Sequence, residues 1–443
     1  MKRSIRIAAI GSMGLAMLLA GCSAPGGSSQ DGGVAADGTA HVVAKKLTVW
    51  TNAADSDAVR HVYSRFGEKF GVKMNIVEIP ADSFETAVQT KWASGDRPDL
   101  LEYHATSNFW SLNPAKNLID LSHMPYVAKS GDTYKYGGSL DGKVYAAITD
   151  TPTLFDIFYN KEVFEKNGLS KPKTYADLAK ICSTLKTSDP GVTPIFESGG
   201  SVWPTQILGG IMYMSSAQKK DNWAQQVIDR KTTFDAPNSP FVDGLAAYKD
   251  LQKSGCFNSD ATTAKFEDSI AAVAQGKTAM VALHSGFVST FNEYFGSAKK
   301  TDETIGFAAV GADGPTAAWA PALGGTWYVP KTGHADTEST ALAFIQYATG
   351  EGYQAFVNES GTFPLLKGAK PPTGGYQELS KEIADAYNAD SAIAFNSNLV
   401  GFGSKFADYL TGLLSGSQTP EPIGENAQKV FEQAAKAAQL PGW

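Results

Sequence analysis

The stretch from Lys46 to His104 narrows the fold more than any other part of this 443-residue chain, because its hydrophobic period keeps switching. KLTVWT is a short β-type run, and DSDAVRHVYSRFGEKFG places Val59, Val62, Tyr63 and Phe66 on one side at helical spacing. VKMNIVEIP alternates again, SFETAVQTKWASG is helical, and PDLLEYH is a third β-type run. Parallel strands cannot be joined by tight turns and need a crossover, usually a helix, so this alternation predicts an α/β fold with a mostly parallel sheet covered by helices. Ligands of such sheets gather beyond the C-terminal ends of the strands. Asn52 to Asp55, after the first run, and Tyr103, His104 and Thr106, after the third, are therefore candidate site residues.

A chain of this length divides into two domains more readily than it builds one core. A second module begins near residue 141 with DGKVYAAITDTPTLFDIFYNKEVFEKNGL, followed by the helical TYADLAKICSTLK. Thr174, with Asp177 three residues on, is a helix-start signal: threonine can cap, and an acid suits the first turn. Helices are predicted through TQILGGIMYM, NWAQQVID, FVDGLAAYKDLQKSG and KFEDSIAAVAQGK, then a strand at TAMVAL. GTWYVPK reads as a further strand, ESTALAFIQYATG and EGYQAFVNESG as helices, and the tail from Glu378 as mostly helix.

The N-terminus carries an address. Lys2, Arg3 and Arg6 precede an almost uncharged run from Ile7 to Ala20, too short to span a bilayer and followed by small residues, as in a signal peptide over residues 1–21. LLAGC resembles the bacterial lipobox, which implies that Cys22 is acylated and becomes the mature N-terminus. Residues 22–45, rich in Gly, Ser, Asp and Ala, read as a flexible tether that cannot bury a core.

The formal charge of −7 becomes −10 once Lys2, Arg3 and Arg6 leave with a segment that holds no acid. Nucleic acid, which needs a basic face, is thereby disfavoured. Only Arg60, Arg65, Arg97 and Arg230 remain to offer the fork that carboxylates and phosphates prefer, so a strongly anionic ligand is disfavoured too. Cys182 and Cys256 remain as an even pair in an exported chain, which predicts a disulfide, two buried thiols being the alternative. The histidines form no HExxH or HxH, the cysteines no CxxC, and there is neither a GxSxG elbow nor a phosphate loop, so no catalytic site, metal or cofactor is expected.

Four strings in order, WASGDRPDL, DGKVYAAITD with FYNKEVFEKNGL and PKTYADL, FEDSIAAVAQGKTAMVALHSG, and LGGTWYVPKTG, resemble the family 1 extracellular solute-binding proteins of ABC importers. The resemblance implies a two-lobed periplasmic-binding-protein-like fold, each lobe discontinuous. Residues 46–151 and 324–375 would form one lobe, 152–323 and 376–443 the other, with crossings near Thr151–Leu154, Pro321–Gly325 and past Leu366. It also implies a monomer, anchored by lipid on Cys22 to the outer face of the bacterial cytoplasmic membrane, that closes on a neutral oligosaccharide and delivers it to the permease subunits.

Sugars need flat aromatic faces and planar polar groups that satisfy hydroxyls once water leaves. On the ligand-facing loops that the resemblance implies, Tyr103, Trp203, Phe287 and Trp327 would supply the faces, with core packing as the alternative for each; Trp50, Trp110, Trp319 and Phe402 rank behind them. The chain departs from the family pattern after the GKTAM strand, where many members place a tryptophan and this chain has HSGFVSTF, which offers Phe287, at a shifted position, for that role. Asn52, Asp55, His104, Thr151, Glu197 and His284 are the candidate polar partners, although Asp55 can also cap a helix and Glu197 and His284 can pair with each other. Gly324 and Gly325 leave room at a crossing for ligand or backbone. A polyol, phosphodiester or polyamine is the rival ligand, the last requiring carboxylates in the crevice, which Asp55, Glu102 and Glu197 leave open. A surface lipoprotein enzyme or adhesin acting on glycans is the rival class.

Overall fold

The structure is a computed structural model that describes residues 40–218, 223–393, 403–437 and 442–443. The signal segment, Cys22 and Phe402 lie outside the described residues.

The strands in chain order are β1 (Lys46–Asn52), β2 (Lys73–Ile79), β3 (Leu100–Glu102), β4 (Ser139–Leu140), β5 (Lys143–Val144), β6 (Ala146–Ile148), β7 (Thr153–Asn160), β8 (Thr193–Phe196), β9 (Thr278–His284), β10 (Ile305–Ala308), β11 (Ala317–Ala320), β12 (Thr326–Tyr328) and β13 (Ser391–Ile393). They build a five-stranded sheet ordered β2-β1-β3-β12-β6, a six-stranded sheet along β13-β11-β7-β9-β8 with β10 also on β7, and a small β4-β5 hairpin.

Each sheet is mixed rather than parallel throughout. In the first, β12 runs against β3 and β6; in the second, β7 runs against β9, β10 and β11. The two reversed strands share a cause. Each is the strand the chain enters directly after passing from one sheet to the other, β7 through Thr149–Pro152 and β12 through Pro321–Gly325, with no helix to turn it round. A further passage joins the helix Tyr353–Ser360, packed with the first sheet, to the helix Glu378–Ala389, packed with the second.

Both sheets are buried on two faces, and the period-two alternation of strands sorts their side chains. In the first, Leu47, Val49, Leu100 and Trp327 pack under the helices Asp57–Phe70 and Ala335–Ala348, while Trp50, Leu101, Tyr103 and Tyr328 face the helix Phe84–Ala93. In the second, Ile157, Met280 and Ala282 meet the helices Tyr175–Ser188, Thr205–Gln218 and Pro240–Lys253. Phe158, Val281 and Leu283 meet Phe266–Ala274 and Val288–Phe295. Local chemistry sets the helix ends: Thr174 and Asp177 form a capping box, each accepting from the other's backbone amide, and Gly71 closes the helix Asp57–Phe70 at φ 65°, where a side chain would be strained. Cys182, on Tyr175–Ser188, is disulfide-bonded to Cys256, just beyond Pro240–Lys253, with 5.4 Å between their Cα atoms. Among the described residues no helix is long and apolar enough to cross a membrane.

Candidate functional site

The C-terminal ends of β1 and β3 hold a buried polar cluster. Asn52 turns the chain: its Oδ1 accepts from the Ala54 amide at 2.9 Å and its carbonyl from the Asp55 amide at 3.1 Å. That turn brings back the carboxylate of Asp55, whose Oδ2 accepts from the Asn52 amide at 3.1 Å and from the Thr51 hydroxyl. Glu102, at the end of β3, is fully buried beside it, its carboxyl facing the Asp55 side chain and the Asn52 and Thr326 amides. Behind both, the Tyr63 hydroxyl lies 3.3 Å from Thr51 Oγ1 and accepts from Trp327 Nε1 at 2.9 Å. Burial pushes Asp55 up to about 6, against the hydrogen bonds from Thr51 and Asn52 that favour its ionised form. Burial, and then the charge of Asp55, push Glu102 well above the usual carboxylate range.

The second sheet presents an aromatic wall. Trp203 lies nearly parallel to Phe287, at 5.7 Å and 25°, and Phe266 and His284 pack beside them at 5.0 and 6.2 Å from Trp203. The backbone before Trp203 is strained: Val202 sits at φ 63°, ψ −63°, and the Trp203 amide donates to the Ser201 carbonyl at 2.7 Å, a γ-turn that a β-branched residue rarely adopts. Gly199 and Gly200 permit the approach. A Cβ on either would lie 2.6 Å from the Ala261 carbonyl oxygen or 2.2 Å from that of Thr263. Strain of this kind concentrates where a side chain must be aimed.

Between the two walls lies a cleft of ≈ 400 Å³, with Asp55, Arg60 and Asp82 on one side and Trp203, Phe266 and Phe287 on the other. A second cavity of ≈ 510 Å³ also lies between the sheets' appendages, walled by Phe109, Trp110 and Tyr136 against Met214, Trp223 and Ile393. Lys265 bridges to Asp82 at 3.2 Å and Tyr136 meets Trp319 edge-on at 5.3 Å, so the two sides touch near both cavities.

Residues 61–389 match the family model for bacterial extracellular solute-binding proteins. The chain belongs to that family. Among curated relatives of this solute-binding protein, the melibiose/raffinose/stachyose-binding protein MelE of Bacillus subtilis (strain 168) is 24% identical over 276 residues, 59% of each chain. The multiple sugar-binding protein of Streptococcus mutans is 24% identical over 227 residues, covering 49% of this chain and 51% of that one. The chain thus spans about half to three-fifths of the length of these curated relatives. Solved structures align over more: a chitin oligosaccharide binding protein has a TM-score of 0.75 at 20% identity, covering 88% of this chain and 99% of that one. RafE in complex with raffinose has a TM-score of 0.70 at 17% identity, with the same coverage of both chains. These likenesses establish the two-lobed α/β fold.

Of the expected site residues, Asp55, Trp203 and Phe287 line the cleft of this solute-binding protein. His104 follows β3, its ring stacked on Tyr103, with Nδ1 2.9 Å from the Leu323 carbonyl and Nε2 3.4 Å from Glu85. His284, at the end of β9, is pushed down to about 3 by burial and by the charge of His104, and its Nδ1 has no hydrogen-bond partner among the described residues. Asn52 acts through the turn it makes. Thr151 sits on a crossing, its hydroxyl 3.1 Å from that of Thr362.

Other expectations need correction. Tyr103 is fully buried against Phe84, because it shares the strand parity of Leu101 and points into that core, so it offers no face to a ligand. Trp327 is equally buried, edge-on to Phe344 and bonded to Tyr63. Glu197 does not pair with His284: it is buried beside the Tyr248 hydroxyl, and its backbone amide is held by Asn258 Oδ1 at 2.7 Å. Gly325 lies at φ 62° on the second crossing, its carbonyl accepting from the amide and hydroxyl of Thr149. Trp50 is core, Trp110 lines the second cavity, and Trp319 is buried in the second sheet's core, edge-on to Tyr136 of that cavity. Phe266 was not singled out by sequence, since only folding brings it 4.5 Å from Phe287. Among the described residues no group of His, Cys, Asp and Glu side chains is placed to hold a metal ion.

Proposed function

We propose that this protein is the solute-binding component of an ABC importer, that it captures an oligosaccharide between two lobes, and that it passes the sugar to a membrane permease. The lobes comprise residues 46–151 with 324–375 and residues 152–323 with 376–443. The observation that carries the reading is the Trp203–Phe287 pair facing Asp55 across the cleft: flat apolar rings on one side, a hydrogen-bonding carboxylate on the other. Relatives named for raffinose, stachyose and chitin oligosaccharides support the ligand class. Closure bends the short crossings Thr149–Pro152 and Pro321–Gly325. The sugar favours the closed form through contacts that exist only when both walls meet it.

Raffinose, stachyose and chitin oligosaccharides are expected to raise the melting temperature without being consumed, since a ligand that binds only the folded state stabilises it by mass action. Trp203→Ala is expected to weaken the best of them by about 1–3 kcal/mol, by analogy with the loss of stacking against flat rings. Full affinity in that variant, or turnover of a glycan by the wild type, overturns the reading.

The proposal includes retention at the outer face of the cytoplasmic membrane by lipid on Cys22. Cys22→Ala is expected to leave a folded, sugar-binding protein in the soluble fraction, because the diacyl or triacyl anchor that holds stably is gone. Recovery of the variant with the membranes refutes the anchor.

A further inference from the structure

The second cavity differs in chemistry from the cleft beside Asp55. That cleft is lined by Asp55, Asp82, Glu267, Glu293 and Arg60, groups that can replace water around hydroxyls. Among the described residues that line the second cavity there is no carboxylate, arginine, histidine or asparagine. Its polar side chains already have partners. Lys135 pairs with Asp132 at 2.9 Å, Gln225 Nε2 donates to Asp229 at 2.8 Å, the Ser139 hydroxyl donates to the Tyr134 carbonyl, and Ser107 is engaged as well. The rest of the lining is mostly apolar, with Phe109, Trp110 and Tyr136 facing Met214, Trp223 and Ile393. Sugar hydroxyls moved there would give up water without groups to replace it, at a cost for each one left unsatisfied. A flat apolar group gives up nothing of the kind, and ≈ 510 Å³ holds one.

Two further features suit an occupant. Trp110 Nε1 is shut away from water and donates to no group among the described residues, whereas a buried indole N–H ordinarily has an acceptor. Tyr136 stands at the cavity although it is 47% exposed, and Gly137 holds it there. A Cβ on Gly137 would lie 2.4 Å from the Ala105 carbonyl oxygen and 2.6 Å from Pro321 Cγ, so only glycine lets this loop press against the crossing.

Both walls lead from the cleft to this cavity. On the first, His104, whose charge reaches Asp55, is followed by Ala105, which lines the cavity. On the second, the helix Thr205–Gln218 begins two residues after Trp203 and carries Met214 and Ala217 to the cavity wall. At 1.5 Å of rise per residue the two stations stand about 15–20 Å apart, a span that a short oligosaccharide bridges.

We propose that the captured oligosaccharide ends in an aromatic aglycone. Its sugar rings lie on Trp203 and Phe287 beside Asp55, and its aryl ring enters the second cavity between Trp110 and Tyr136 on one side and Met214 and Ile393 on the other, with an oxygen accepting from Trp110 Nε1. This deepens the sugar-binding reading and rests on it.

The test is calorimetric titration of the full chain with N-acetylchitotriose and N-acetylchitotetraose, each free and as its p-nitrophenyl glycoside, with stachyose as a further neutral sugar. One or both nitrophenyl glycosides are expected to bind at least about tenfold more tightly than the matching free sugar, as burial of one more aromatic ring gives. The heat-capacity change of binding is expected to be more negative for the glycoside, because more apolar surface is buried. Trp110→Ala should bring the affinity ratio close to one, and the heat-capacity difference, read on the wild type, stands by itself if that variant does not fold. If the free sugars or stachyose bind as tightly as the glycosides, or if the advantage comes without a heat-capacity difference or survives Trp110→Ala, the aglycone inference falls and the sugar-binding reading stands. If no sugar binds, free or substituted, both fall.

Discussion

Folding stability is expected to decline as pH rises from about 6.5 to 8.5, by up to about 1.4 kcal/mol per pH unit for each buried carboxyl still protonated in the folded state. Glu102, Asp156 and Glu197 are buried, and burial holds each well above its ordinary range. Asp156 is only partly compensated, its Oδ1 accepting from the Val310 amide at 3.0 Å and the Ile157 amide at 3.2 Å. An acid whose folded pKa is raised stabilises fully below its unfolded value and loses that contribution as pH climbs through the folded one. Asp55, raised to about 6, adds its share mostly between about 4 and 6.

His284 works in the opposite sense. Burial lowers it to about 3, so the unfolded chain binds the extra proton between there and 6.5, and stability rises with pH across that interval. It offsets one carboxyl below pH 6.5 and nothing above, which makes the higher range the diagnostic one. Urea unfolding at several pH values measures the slope. Glu197→Gln, which keeps the shape and removes the proton, is expected to flatten it by about one group's worth. A stability that is level or rising from pH 6.5 to 8.5 refutes the account.

Removing the Cys182–Cys256 disulfide is expected to cost roughly 4 kcal/mol, because the bridge closes a long loop of the unfolded chain. The cysteines are 74 residues apart in sequence and both are buried. The loss should fall on the second lobe, where the Cys256 carbonyl accepts from the Ile195 amide of β8 at 2.9 Å and so couples the bridge to the sheet. Chemical denaturation of the Cys182→Ala/Cys256→Ala double variant checks it. Equal midpoints for the variant and the oxidised wild type show that the bridge contributes nothing, and thiol labelling of the denatured, unreduced wild type tests for the bond itself.

What could be read from the chain beforehand follows the range of the interactions. The strand and helix alternation of the first hundred or so residues, the Thr174–Asp177 cap and the candidacy of Asp55, Trp203 and Phe287 are local or motif-borne, and the chain shows them directly. Tyr103 and Trp327 were misread for a local reason as well. Loops carry ligand contacts, but these residues continue strand parity, Tyr103 with Leu101 and Trp327 with Val329, and parity sends them inward. Phe266 had no such signal, and Glu102 showed only as one of the carboxylates that a polyamine would need. Each gains its place from residues far away in sequence, Phe266 beside Phe287 and Glu102 beside Asp55. The reversed directions of β7 and β12 were hidden for a third reason: strand direction depends on how the chain passes between sheets, which hydrophobic period does not encode.

The position of β12 sets the order in which this molecule can be completed during synthesis. It is an inner strand of the first sheet, between β3 and β6, yet it is made after nearly the whole of the second sheet. As the chain leaves the ribosome, the facing edges of β3 and β6 have no partner and the core beneath Trp327 has no plug until residue 328 is out. Non-local pairing of this kind is slow, and unpaired edges invite association with other chains. The half of the protein that is made first is therefore finished late, and for most of translation its two open strand edges need shielding from neighbours.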